Sequence, residues 1–203
     1  SVSGQGSAQR VQSALTQNFP GVTISSTEEV GPAIGDYLKK SAVYLILWCV
    51  VIMALYLAFR FEYRFSITAM IALLHDVVLS FLFLGMMGVE INIPIVAGIL
   101  TIFGYSINDT IIVYDRIREN LDVMAKQSIK DIVNRSISQT LNRTILTVFT
   151  TLLAVFCLYM IGEDVINDFA LLLLFGFALG VFSTFGVASP LIYEWNRIRP
   201  KQA

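Results

Sequence analysis

Five long apolar segments limit what this chain can fold into. They cover residues 41–59, 65–87, 93–114, 144–161 and 169–193, and each is close to the roughly 20 residues that a helix needs to cross a bilayer. Of the 203 residues, 56% are hydrophobic and 14% are charged, whereas soluble domains have about 25% charged residues. The sequence therefore predicts an all-α polytopic membrane protein with five transmembrane helices.

Residues 1–40 form the main polar block outside the loops. Residues 11–19 have the pattern of a short amphipathic helix, and residues 22–25 alternate like a short strand. The segment is small for an independent core, so we expect a short α/β remnant, the C-terminal tail of a larger extramembrane domain. The chain does not begin with Met and shows no signal peptide, as expected if it starts partway through a longer protein.

The basic residues predict the orientation in the membrane. The loops after the second and fourth spans contain acidic residues but no Lys or Arg. The acidic residues are Glu90 in the first loop and Glu163, Asp164 and Asp168 in the second. Because Lys and Arg accumulate in cytoplasmic loops, we expect residues 1–40 outside, and the long loop and the tail at 196–203 in the cytoplasm. Eleven of the 14 Lys and Arg residues lie on this cytoplasmic side: Arg60, Arg64, Arg116, Arg118, Lys126, Lys130, Arg135, Arg143, Arg197, Arg199 and Lys201.

The long loop at residues 115–142 carries two amphipathic helical patterns. They are separated at residues 126–128, where Ser128 and Asp131 have the spacing of a helix cap. Basic amphipathic helices commonly lie in the membrane interface, and their apolar faces also suit packing on a partner. The sequence leaves both alternatives open.

The third span contains the pair Asn108-Asp109. An ionisable residue at this depth costs on the order of 2.5–3.5 kcal/mol by insertion scales, and such residues are commonly functional. Thr101, Tyr105, Asn108 and Asp109 share one helical face by spacings of three and four. The alternative is a carboxylate that is neutral or paired only to lock two helices together.

Arg143 stands at the cytoplasmic entrance of the fourth span, at about the depth of Asp109. The two side chains can pair if their helices are neighbours. A nearby guanidinium favours the charged form of a carboxylate, whereas burial favours the neutral form. Such a balance suits a proton carrier, while the same pair held static would only join two helices.

The second span carries His75-Asp76 near its middle, and His75 is the only histidine of the chain. An imidazole beside a carboxylate at this depth is a candidate proton relay. Each side chain can equally bond a separate neighbour, because adjacent helical residues point about 100° apart. Asp76 and Asp109 together also suggest an intramembrane aspartyl protease, which needs two carboxylates that share a proton.

The fifth span contains Gly176 and Gly180 in a GxxxG pattern, which is typical of a close helix contact. No pattern resembles a metal site, a phosphate-binding loop or a nucleophilic triad. We therefore expect no cofactor and no metal, and a protein that is not an enzyme.

Four segments stand out along the chain: VGPAIG at 30–35, LHDVV at 74–78, FGYSINDTIIVYDRIRE at 103–119 and QTLNRT at 139–144. Together they resemble the SecF family of bacterial protein-export membrane proteins, within the wider SecD/SecF group. The likeness covers nearly the whole chain, except that members have six spans and a periplasmic domain between the first two. This chain matches the end of that domain and the last five spans.

The resemblance implies an RND-like bundle in the bacterial inner membrane that pairs with SecD, beside the SecYEG channel and YajC. It implies use of the proton-motive force to promote translocation of unfolded polypeptides, in contact with protons and membrane lipids and without nucleic acid. The family's proton-transport residues map to Asp109 and Arg143, and Asp76, His75 and Asn108 are further candidates. An RND-type exporter of lipids or small molecules and a purely structural scaffold are the alternatives.

Overall fold

The computed structural model describes residues 13–17, 32–124 and 126–198. The chain divides into two compact units, Ser1–Tyr44 and Leu45–Ala203. In the first unit, residues 13–17 are helical and lie within the amphipathic helix predicted at 11–19. The predicted strand at 22–25 lies outside the described residues, so the α/β remnant stays a prediction.

The described part of the chain contains long helices and no strand. Five helical segments are long and apolar enough to cross a membrane, which confirms the predicted all-α membrane architecture. A π-helical turn, Thr184–Ala188, joins the last two helices. The helices are α1 (Pro32–Arg60), α2 (Tyr63–Met87), α3 (Ile93–Val123), α4 (Ile129–Ile161), α5 (Asp164–Ser183) and α6 (Ser189–Ile198).

The two amphipathic patterns of the long loop are helical, but they are not separate interfacial helices. The first continues α3 to Val123, and the second begins α4 at Ile129. Their apolar faces pack on one another, with Ile117 and Val133 in one buried cluster. Ser128 caps α4 as predicted, since its hydroxyl accepts a hydrogen bond from the Asp131 amide. No helix-breaking residue lies between each span and its extension, so the helices simply continue.

Helices α3 and α5 lie side by side at the centre of the second unit and run in the same direction. A Cβ atom added at Gly98 would meet Leu172, one added at Gly176 would meet Ile102, and one added at Gly180 would meet Ser106. The residue numbers of the contacting pairs therefore rise in the same direction along both helices, so the helices are parallel. The predicted GxxxG contact is confirmed, and its partner is α3.

Helix α1 has the opposite character, because most of its residues from Leu45 to its end are exposed. From Leu45 to its end, Leu57 is its only buried residue. At its last residue, Arg60 forms an ion pair with Asp115 of α3, with an N–O distance of 2.8 Å. This pair places the end of α1 beside the extension of α3.

We expect Gly176→Ala to destabilise the bundle by about 1–3 kcal/mol, the usual range for an overpacked core. The added methyl group overlaps the side chain of Ile102, which is itself buried. Unfolding by SDS titration in mixed micelles measures the change.

Gly104→Ala is the matched control, because no atom within 4 Å would meet its Cβ and alanine is the better helix former by about 1 kcal/mol. Adding Ile102→Ala to Gly176→Ala should recover part of the loss. If Gly176→Ala and Gly104→Ala were equally stable, the close α3–α5 contact would be refuted.

Candidate functional site

Asp109 lies in α3, with only 3% of its surface exposed. Its Oδ2 atom is buried and accepts no hydrogen bond from any residue that the structure describes. A buried polar group without a partner is unfavourable, and far more so when it is charged. Asp109 is therefore a poorly stabilised buried carboxylate.

Arg143 is the charged group that acts on Asp109. Helices α3 and α4 pack together, and the charge of Arg143 interacts with the Asp109 carboxylate. The two side chains are not an ion pair within 4.0 Å, since neither residue takes part in one of the ion pairs formed by described residues. The structure thus brings the predicted partners onto facing helices without joining them.

The side of α4 next to Arg143 has a second unpaired polar group. Thr144 is fully buried, and its Oγ1 has no hydrogen-bond partner in the described part of the chain. Two turns further along α4, Thr151 accepts a hydrogen bond from the Tyr105 hydroxyl at 3.2 Å. Helices α3 and α4 are therefore joined by a hydrogen bond one turn before Asp109.

Asp76 has a different environment, although it is also fully buried. Its Oδ2 accepts hydrogen bonds from Ser106 of α3 at 2.5 Å and from Ser183 of α5 at 2.7 Å. Its Oδ1 lies 3.1 Å from Nδ1 of His75, whose ring is partly exposed. Asp76 therefore joins three helices at one point.

A series of buried hydroxyl groups continues from Asp76 towards the end of α3. Thr110 bonds Thr184 at 3.1 Å, one turn beyond Ser106. One turn further, the Tyr114 hydroxyl lies 2.8 Å from Thr68 Oγ1 and 2.9 Å from the carbonyl oxygen of Ala188. These side chains surround the π-helical turn, and isolated π turns occur frequently at functional sites.

Sequence analysis assigned no role in the site to Ser106, Thr110 and Tyr114, which carry this series on α3. Their spacing of four residues places them on one helical face and was a signal available in the sequence. Their partners Ser183 and Thr184 gave no such signal, because nothing local distinguishes them from other helix residues.

Asn108 lies on the exposed side of α3, away from the buried carboxylates. The neighbours of Asp76 are Ser106, Ser183 and His75, whereas the charge that acts on Asp109 is that of Arg143. The two carboxylates thus have separate surroundings. They do not form the shared pair that an aspartyl protease requires.

Comparison with known proteins identifies the family. Residues 10–198 match the family model "Protein export membrane protein SecD/SecF, C-terminal". The protein translocase subunit SecF of Endomicrobium trichonymphae is 42% identical over 92% of this chain and 61% of its own length. That of Desulfurispirillum indicum is 46% identical over 83% of this chain and 55% of its own length.

Longer relatives carry the same region. The protein translocase subunit SecDF of Thermus thermophilus is 42% identical over 89% of this chain, which spans 24% of that protein. A crystal structure of SecDF from Thermus thermophilus superposes with a TM-score of 0.87 at 40% identity and covers 93% of this chain and 26% of its own. A second, in a super-membrane-facing form, gives a TM-score of 0.82 over 94% of this chain and 26% of its own.

This chain thus spans about three fifths of the SecF relatives and a quarter of the SecDF relative. The match extends over almost all of its residues, and the solved relatives share its helical architecture. It is a multi-pass membrane protein that belongs to the SecD/SecF family of protein-export membrane proteins.

Proposed function

We propose that this chain is part of a SecF-type subunit of the Sec export machinery in the bacterial inner membrane. Together with SecD, and beside the SecYEG channel and YajC, it uses the proton-motive force to promote the translocation of unfolded polypeptides. The names of its relatives, which are protein translocase subunits, support this role. They favour it over export of lipids or small molecules and over an enzymatic activity.

The observation that carries the proposal is the state of Asp109. It is buried, one of its oxygens lacks a donor, and Arg143 acts on it without forming an ion pair. Burial favours the neutral carboxyl group, whereas the guanidinium favours the carboxylate. Asp109 is thus suited to take up and release a proton, with Arg143 adjusting the balance.

Protonation of Asp109 changes the forces between α3 and α4. The ionised carboxylate attracts Arg143, and the neutral form does not, so the two protonation states favour different packing of the helices. Movement of the periplasmic domain would follow from this shift. The unpaired Oδ2 atom of Asp109 supports a contact that is not locked in one arrangement.

The exposed polar residues of α3 and α4 at this site support the presence of a partner subunit. Asn108 and Arg143 are exposed at a depth where lipid would otherwise surround them, and neither side chain forms a hydrogen bond or ion pair with another described residue. By contrast, Thr101 and Thr147 donate to carbonyl groups of their own helices. In the Thermus thermophilus relative, SecD and SecF are named as one subunit, which makes SecD the proposed cover for this face.

The orientation is also a proposal. The Arg60–Asp115 pair joins the end of α1 to the extension of α3, and Arg64 bonds Asn196 near the end of α6. These contacts group the basic ends of several helices, and basic ends are typically cytoplasmic. Residues 1–40 then lie in the periplasm and the C-terminus in the cytoplasm.

We expect Asp109→Asn to abolish proton flux in vesicles that hold the full-length protein with its SecD partner. The amide is nearly the same size but does not exchange a proton, so flux should fall to the level of protein-free vesicles. A pH-sensitive dye inside the vesicles measures the flux, and co-purification of SecD shows that the complex is intact.

Asp115→Asn is the matched control, because Asp115 lies on the same helix but is partly exposed and paired with Arg60. It should retain flux. Full flux in Asp109→Asn would reject Asp109 as the carrier, and dissociation of the complex would show that the residue only holds helices together.

Cysteine labelling tests the orientation. In a background with Cys49→Ala and Cys157→Ala, Glu90→Cys should react with a membrane-impermeant maleimide added to intact spheroplasts. Gln127→Cys, in the turn between α3 and α4, should react only in inverted vesicles. Both positions are exposed, so the reverse pattern would show that the orientation is wrong.

A further inference from the structure

Asp76 is a second buried carboxylate that the proposed proton step does not use. Three groups surround it: the hydroxyls of Ser106 and Ser183 at Oδ2, and the imidazole of His75 at Oδ1. Asp109, by contrast, has a buried oxygen without any partner among the described residues. Two aspartates of similar burial therefore differ completely in how well they are bonded.

The hydrogen bonds of Asp76 suit a carboxylate that accepts hydrogen bonds permanently and does not take up and release a proton. A carboxylate oxygen accepts two hydrogen bonds, and the two serine hydroxyls fill both places at Oδ2. Because the donors come from α3 and α5, the carboxylate of α2 fixes these two helices relative to one another. Gly180 allows the close approach, since a Cβ there would lie 3.2 Å from Cβ of Ser106.

The position of Ser106 connects this junction to the proposed carrier. Asp109 follows Ser106 by three residues, so the two side chains lie one turn apart on neighbouring parts of the same helix. Ser183 is the last residue of α5 before the π-helical turn. A displacement of α3 or α5 at the junction therefore moves Asp109 relative to α4, where Arg143 stands.

We propose that Asp76 is a positioning residue for Asp109 and not a second proton carrier. By holding Ser106 and Ser183 together, it sets the place of Asp109 with respect to Arg143. This inference rests on the proposed function of Asp109. It assigns to the His75-Asp76 pair a role in geometry, in place of the relay that the sequence suggested.

The comparison of Asp76→Asn with Asp76→Ala tests the inference. The carboxamide oxygen of Asn still accepts both serine hydroxyls, and its amino group faces Nδ1 of a neutral His75 as a donor. We expect Asp76→Asn to retain proton flux in the vesicles described above, although the side chain no longer exchanges a proton. Asp76→Ala should lower flux about tenfold, as the loss of a hydrogen bond to a charged group allows.

The serines provide a test that leaves the carboxylate in place. Ser106→Ala and Ser183→Ala should each shift the pH of half-maximal flux by about half a unit or more. The reason is that a displaced Asp109 interacts with the charge of Arg143 at a different distance. Ser80→Ala is the matched control. Ser80 is buried one turn from Asp76 on α2, but its hydroxyl has no partner among described residues, so the pH profile should not move.

Several results would overturn the inference. Loss of flux in Asp76→Asn with an intact complex would make Asp76 a carrier, and full flux in Asp76→Ala would remove any positioning role. A pH profile of the two serine variants identical to that of Ser80→Ala would do the same. Retained flux in Asp109→Asn is a separate result, which would reject the proposed function and this inference with it.

Discussion

The close approach of α3 and α5 is the contact on which the interior of this bundle depends. Lipid provides no hydrophobic driving force between helices, so small residues and interhelical hydrogen bonds hold them together. Gly176 and Gly180 supply the small residues against Ile102 and Ser106. Only because the two backbones are this close do Ser106 and Ser183 both reach the carboxylate of α2. The packing of apolar surfaces and the polar junction are therefore one arrangement.

The bundle contains two buried aspartates with opposite surroundings. Asp76 has partners at both oxygens and joins three helices, whereas Asp109 has a buried oxygen without a partner among the described residues. A buried polar network with all its hydrogen bonds formed makes a structure rigid. A buried polar group without a partner instead raises the free energy of the folded state. The hydrogen-bonded Ser106 and the incompletely bonded Asp109 thus lie one helical turn apart on α3. Under the proposed function, a change of charge at Asp109 would act on the packing of α4 while the contact between α3 and α5 is kept.

Much of this could be predicted from the sequence, for identifiable reasons. The number of spans follows from apolar length alone, and Asp109 stands out because ionisable residues are rare at that depth. The end of α3 and the start of α4 were harder to predict, because the amphipathic extensions of these two spans resemble separate interfacial helices. Ser106 and Ser183 were not predicted, since serines are ordinary in helices and their role depends on α2. The π-helical turn has no local signature, because residues 184–188 resemble any small apolar helix segment.

The π-helical turn also determines which face α6 presents. A π turn holds an additional residue compared with an α turn, and each residue of an α-helix advances the direction of its side chain by about 100°. Side chains after Ala188 are therefore rotated from where an unbroken α5 would have put them. In the observed rotation Ile192 is buried, and Trp195 packs edge-on against Tyr63. The π-helical turn thus rotates the side chains that follow it. One continuous helix can therefore pack against α3 in the membrane through α5 and against the start of α2 at its basic end through α6.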